Sequence, residues 1–364
     1  MAGVLPRLYH PNRVWDSLAI LTASSADPAA PVSWIKDQLR SKAWRSKLGW
    51  NIISDKNKFD FIDNGVAKVA TLALNNYATG AALAAQLTTA MNAVAGITNT
   101  YLATYDSGTF KFTFARATGS NSFGIELSSP DAASCAKDVG FILGVDKTGA
   151  TSYVADLAAY KSREWIKVNL GSALAVAAAV IANHNSGAGG TFTLQGHTSD
   201  AWTSPDVSQV LAGDAILRSA YFASATKQWW RVLIEDVQSS LGYSEVGIWY
   251  PSPYLSLTSF APELTDEREE LSDIGYAVNG AHFQTERQTR RSWELMFHNR
   301  SAADKAALIA ILDAVKVGRN FFFDFDSANP QIRYTFFDRG LSFEAQETDP
   351  VTWSVKARLL EALG

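Results

Sequence analysis

A single cysteine, Cys135, stands in 364 residues, which leaves no material for a disulfide framework or a four-cysteine zinc site. Basic residues are not in excess either: 32 Lys and Arg against 36 Asp and Glu give a net charge of −4. A dedicated nucleic-acid binder needs a basic face for phosphates, so no nucleic-acid partner is expected. Long hydrophobic runs are also missing. No stretch approaches the roughly 20 apolar residues that cross a bilayer as a helix. The longest candidate, Ala173 to Ala182, is short, alanine-rich and flanked by polar residues. Membrane insertion is therefore not expected. The run Leu18 to Leu21 is too short for a signal peptide, so the expectation is synthesis in a cytosol without a leader. What is present, 47% hydrophobic and 19% charged residues, is ordinary globular composition at a length suited to two or three domains.

Two compositional shifts divide the chain. Nine of the eleven tryptophans precede residue 256, yet none lies between Asn51 and Glu164. From residue 256 onward, 12 basic and 17 acidic residues give a net charge of −5, whereas the first 255 residues hold 20 and 19, a net of +1. These shifts suggest residues 1–54 with 163–255 as one discontinuous domain, 55–162 as an insert, and 256–364 as a third unit.

Within the insert, Val66 to Leu74 reads as a strand. Thr79 is a candidate N-cap for a helix running to about Val94, with Leu83, Leu87, Met91 and Val94 as its apolar stripe. Tyr101, Ala103 and Tyr105 before Asp106-Ser107-Gly108, and Phe110, Phe112 and Phe114 after it, alternate as a hairpin does. A strand at Ser122 to Leu127 and a short helix near Ala132 to Lys137 complete a small α+β unit. Around it, Thr191 to His197, Trp229 to Ile234 and Val246 to Tyr250 alternate with period two between Gly- and Ser-rich loops, as in a β-sandwich. The last part reads as strands at 275–283, 292–297, 320–325, 333–337 and 351–359. Ser301 and Asp304 form a potential capping box for one helix, whose apolar face would hold Leu308, Ile309, Leu312 and Val315. The fold class expected is mainly β: a sandwich with an inserted α+β unit and a C-terminal β-rich unit carrying one helix.

The segments Trp165 to Gly171, Asn183-His184-Asn185, Gln195-Gly196, Trp229 to Val232 and Gly242 to Gly247, in that order, resemble a discoidin-like (galactose-binding-like) β-sandwich. Leu21 to Ser25 and Lys42 to Ser46 resemble the opening of the same module. The insert, through Leu74 to Tyr77, Ala90 to Asn92 and Val139 to Phe141, is similar to a small domain carried by bacteriophage tail and baseplate proteins. Arg291 to Leu295 and Gly318 to Asp324 resemble the C-terminal part of siphophage distal-tail proteins. Together these resemblances imply a structural virion protein of the tail tip, made in the host cytoplasm. It would form a homo-oligomeric ring joining the tail tube to the baseplate hub and tail-fibre proteins. The other function they imply is a glycan-binding adhesin that contacts the host surface.

Candidate sites follow from chemistry. Trp202 and Trp249 could stack on a sugar ring, which presents an apolar face to an aromatic platform. Of the adjacent pair Trp229 and Trp230, one must face the core and the other must be covered by the insert or a neighbouring subunit. Arg287, Arg290 and Arg291, with Glu286 and Glu294 beside them, suit intersubunit ion pairs. None of the five histidines is spaced i,i+4 from another, so no metal is expected, and His184 reads as a strand-end residue bonded to backbone. Asp324 and Asp326 share a strand face and could serve hydrolysis or calcium, but a turn after the strand explains them as well. Cys135 reads as a buried thiol, Gly187 to Gly190 precedes a strand rather than a helix, and Asp266 to Glu270 reads as a solvated linker. No cofactor and no catalytic activity are expected.

Overall fold

A computed structural model describes residues 6–9, 12–37, 42–187, 189–256, 265–270, 273–276, 282–285, 289–317, 319–326, 332–338, 340–346 and 349–362. The chain is mainly β, with α-helices at Gly80–Asn92 and Ala302–Val315 among the described residues. Its buried apolar side chains gather into three clusters.

Two long antiparallel strands, Glu164–His184 and Leu217–Glu235, form the spine of a sandwich-like body. Their register slips between Asn169 and Leu174, where Gly171 sits at φ +75°, a conformation open to glycine and costly for other residues. Thr191–His197 lies along the second strand of the spine, while Ile20–Ala23 and Glu245–Ser252 lie along the first. Ile166, Val168, Phe192, Leu194, Trp230, Val232, Ile234 and Trp249 fill the core between them. Gly196 is required there. A Cβ at that position would stand 2.8 Å from the Trp230 indole.

The far half of the spine is buried on both faces, which accounts for its alanines. Ala179 and Ile181 face the sandwich core, whereas Ala178, Val180 and Ala182 join Ile248 and Tyr250 against aromatics of the C-terminal part. That part is an eight-stranded sheet. It runs in the order Tyr254–Ser256, Arg7–Tyr9, Asn320–Asp324, Ile332–Phe337, Asp349–Glu361, Thr289–Arg300 and Thr265–Glu270, with Ser342–Gln346 also on Asp349–Glu361. The strand Arg7–Tyr9 therefore ties the start of the chain into the C-terminal sheet.

The inserted region has its own core, from Trp50 to Ala159. Strands Lys58–Asp63, Val66–Thr71, Phe123–Ile125 and Lys147–Thr148 make one sheet, and Thr100–Asp106, Lys111–Thr118 and Ser152–Val154 another. Phe59 stacks on Phe114 with ring centroids 4.5 Å apart. The helix Gly80–Asn92 starts where expected, the Thr79 hydroxyl accepting from the Ala82 N–H at 3.2 Å, and buries Leu83, Leu87 and Met91. The second helix carries the expected capping box between Ser301 and Asp304.

Several local expectations are corrected. The helix near Ala132 to Lys137 is a 3-10 turn at Ala136–Val139. Phe110 belongs to the hairpin turn at φ +57° and not to the strand after it. The second helix buries Ile311, and Ile309 is exposed. The acidic run expected as a linker is the strand Thr265–Glu270, hydrogen-bonded to Thr289–Arg300. The single strand expected at 275–283 is instead a pair, Asp273–Tyr276 against His282–Thr285. Asp324 is fully buried, receives the Tyr221 hydroxyl at 2.7 Å and the Asp326 backbone N–H at 3.2 Å, and so closes a strand end.

Candidate functional site

One face of the sandwich sheet does not enter the core. The register sets Trp165 opposite Leu233, Lys167 opposite Arg231 and Asn169 opposite Trp229. On the next strand Thr193, Gln195 and His197 oppose Leu233, Arg231 and Trp229. Side chains two apart on a strand share a face, so this surface carries two indoles, an ammonium and a guanidinium. Trp230, one position on, points the other way and is fully buried.

Cationic and aromatic groups interleave across this face. The Lys167 ammonium lies 4.9 Å from the Trp165 ring centroid and 5.6 Å from that of Trp229. The loop that follows Thr191–His197 folds over it and brings Trp202, half-buried, under the Arg231 guanidinium at 4.5 Å. Two carboxylates hold the indoles. The Trp202 N–H donates to Asp200 Oδ1 at 2.6 Å, and Lys167 donates to Asp200 Oδ2 at 2.6 Å. The Trp165 N–H donates to Asp55 Oδ2 at 2.9 Å. Burial acts to raise the Asp200 carboxyl, but its bonds to Lys167 and Trp202 outweigh that and hold it below the usual carboxylate range.

Asp55 arrives from the start of the inserted region, so the site lies along the seam between the insert and the sandwich. Trp165, Trp202, Arg231, Asp200, Asp55 and Thr203 contribute to a cleft of about 460 Å³ there. Lys56, on its inner wall, is buried and donates to Ser162 Oγ at 2.9 Å and to the Arg163 carbonyl. The cleft combines flat apolar indoles, charged donors and carboxylate acceptors, which suits a small ligand with apolar faces and polar rims.

Of the residues singled out in the sequence, Trp202 lies in this cleft. Trp249 does not: it is fully buried in the sandwich core, because both faces of Glu245–Ser252 are covered, and is removed from the candidate surface. Arg290 and Arg291 lie half-buried in Thr289–Arg300, their backbones paired with Glu269 and Arg268, in a different part of the molecule. Arg287 and His10 lie outside the described residues. His184 is buried and accepts the Ser186 N–H at 3.3 Å, and burial, with Arg218 nearby, depresses its pKa. Trp165, Lys167 and Arg231 were not singled out. The signal for them was present, since aromatic and cationic residues at 165, 167, 229 and 231 alternate with Ile166, Val168, Trp230 and Val232.

No family model matches this chain, and no curated protein matches it. The solved structures it is similar to include three carbohydrate-binding modules. One is a selenomethionine-labelled mutant of chitosan-binding module 1 from a Paenibacillus sp. IK-5 chitosanase/glucanase, at 12% identity over 67% of this chain and 100% of that one, TM-score 0.29. Another is the family 32 module of C. perfringens NanJ in complex with galactose, at 10% identity over 68% and 99%, TM-score 0.30. The third is CpGH89CBM32-5 from Clostridium perfringens in complex with GalNAc-β-1,3-galactose, at 7% identity over 67% and 99%, TM-score 0.28. Scores this low establish neither a shared fold nor a shared ligand.

Proposed function

We propose that this chain binds glycans in the seam cleft between the insert and the sandwich sheet. The observation that supports it is the pair of indoles, Trp165 and Trp202, each fixed by an N–H bond to a carboxylate and lining one cavity. A pyranose presents an apolar C–H face to such a ring and hydroxyls to the groups around it. Fixing the rings in advance lowers the ordering cost of binding. Binding to a glycan array, lost on Trp202→Ala with folding unchanged by circular dichroism, is the expected result. An array that stays blank with the intact chain defeats the proposal.

A structural role in a phage tail tip is the second reading. It draws on the resemblances of the insert and the C-terminal part, and on the way Arg7–Tyr9 joins both ends of the chain in one sheet. In that setting the protein would be a virion component, made in the host cytoplasm, that assembles as a ring and presents the cleft to a host glycan without chemical turnover. Negative-stain images of purified protein test this: rings support it, and monomers at high concentration count against it.

A further inference from the structure

The charges around the cleft are unequally satisfied. The carboxylate of Asp200 already holds the Trp202 indole and Lys167, and that of Asp55 holds the Trp165 indole. Arg231 differs. It is 7% exposed, yet it ion-pairs with no carboxylate among the described residues. Its Nε and Nη2 both donate to one oxygen, Gln195 Oε1, at 2.8 and 2.6 Å, and its flat face lies on Trp202. The guanidinium that shares the cleft with it, Arg163, is neutralised by Asp138 at 2.8 Å. Burial lowers the pKa of Arg231 to about 10, and Asp55 and Asp200 oppose this only in part. Asp55 and Asp200 act on this cation from a distance, but neither is in ion-pair contact with it. A buried cation with no carboxylate in contact is costly, and a ligand that supplies one recovers part of that cost.

We infer that the glycan taken by this cleft carries a carboxylate, as a uronate or sialate does, and that the carboxylate pairs with Arg231 while the sugar ring lies on an indole. This rests on the glycan-binding reading above. The guanidinium has N–H groups left over after Gln195, and carboxylates accept from guanidinium in its own plane, leaving its face on Trp202. The carboxylates of Asp55 and Asp200 then serve the ring hydroxyls as acceptors.

The test uses the full chain on an array printed with uronate- and sialate-bearing oligosaccharides, their carboxyl-reduced counterparts, sulfated glycans and neutral galactosides. The expected result is binding to carboxylated glycans that weakens at least tenfold on carboxyl reduction and falls with added salt. Arg231→Gln should abolish the distinction between acid and reduced forms. Because that arginine lies in a core strand, carboxyl reduction of the ligand is the decisive arm, as it leaves the protein untouched. Equal binding to acid and reduced forms, or a preference for neutral or sulfated glycans, overturns the carboxylate assignment. If Trp202→Ala still removes that binding, the glycan reading stands. A blank array overturns both.

Discussion

Replacing Asp138 with alanine removes one end of the ion pair that holds the inserted region against the sandwich. Asp138 is fully buried, and its carboxylate receives Arg163 through the backbone N–H at 2.6 Å, Nη2 at 2.8 Å and Nε at 3.2 and 3.3 Å. Burial acts to raise this carboxyl, but Arg163 and Lys56 more than offset it and hold it below the ordinary range. Truncating one partner of a buried pair costs about 3–5 kcal/mol, because the other charge stays desolvated. The Arg163 side chain is still 18% exposed, which favours the lower end, about 3 kcal/mol. With an unfolding entropy of about 2.1 cal/mol/K per residue, the 364-residue chain shifts by about 1.3 °C per kcal/mol, a fall of about 4 °C in Tm. Urea unfolding and a thermal melt of Asp138→Ala against the parent measure it. A loss below about 1 kcal/mol would mean that the pair behaves as a screened surface contact, and the reasoning fails. The pH dependence has a definite sign. The folded pKa lies below the unfolded value of about 3.9, so the contribution is present above that pH and is lost as pH falls through the folded pKa. The variant and the parent should therefore converge in strong acid.

Three further perturbations have clear directions. Cys135 is fully buried and burial pushes its thiol pKa up, so a thiol reagent at pH 8 should leave the native chain unlabelled and react only once denaturant is added; labelling of native protein would contradict its place in the core. Gly196→Val drives a branched side chain into the Trp230 indole and should cost about 1–3 kcal/mol in urea unfolding, with a neutral result refuting the packing. Lys161 is 1% exposed, donates to Ser244 Oγ at 2.7 Å and the Tyr243 carbonyl at 3.0 Å, and burial lowers its pKa to about 8. Between that value and about 10.4 the unfolded chain holds a proton on this lysine that the folded chain has released, so Lys161 contributes a rise in stability with pH across this window, read as the pH-dependent difference between the parent and Lys161→Met.

Sequence periodicity was most informative where one side of an element faces a core and the other does not. Thr191–His197 buries Phe192 and Leu194 as its alternation implies, and Gly80–Asn92 was legible from the Thr79 cap and the stripe of Leu83, Leu87 and Met91. It failed where both sides are covered. The alanines of Glu164–His184 carry no period because one set faces the sandwich core and the other the C-terminal aromatics. Trp249 was misplaced for the same reason: on a strand buried on both sides, an indole beside Ile248 and Tyr250 has no solvent to face. The strand Lys58–Asp63 was hidden by its acids. Asp63 is buried because Thr98, Asn99 and Tyr101, 35 to 38 positions away, donate to it, and nothing local announces those partners. Thr265–Glu270 misled in the opposite way, since acidic charge suits the outermost strand of a sheet as well as it suits a linker.

The cleft was legible only in part, and the reason lies in how it is built. Trp202 stood out as a tryptophan in a polar loop, but its partners are supplied by strands whose outward face is known only once the core side is known. Trp165 and Asp55 are 110 positions apart and meet because the inserted region leaves and re-enters the sandwich at neighbouring points. The insert thereby does more than add a second core. It supplies Asp55, Lys56 and Ala133 as one wall of the cleft, while the sheet supplies Trp165, Arg231 and Leu233 as the other. A sandwich lacking the insert would keep its hydrophobic core and lose the wall. On the proposed glycan-binding reading, the selectivity of the site would depend on the pairing of the two bodies, and the buried Asp138–Arg163 contact that fixes their seam would bear on binding as well as on stability.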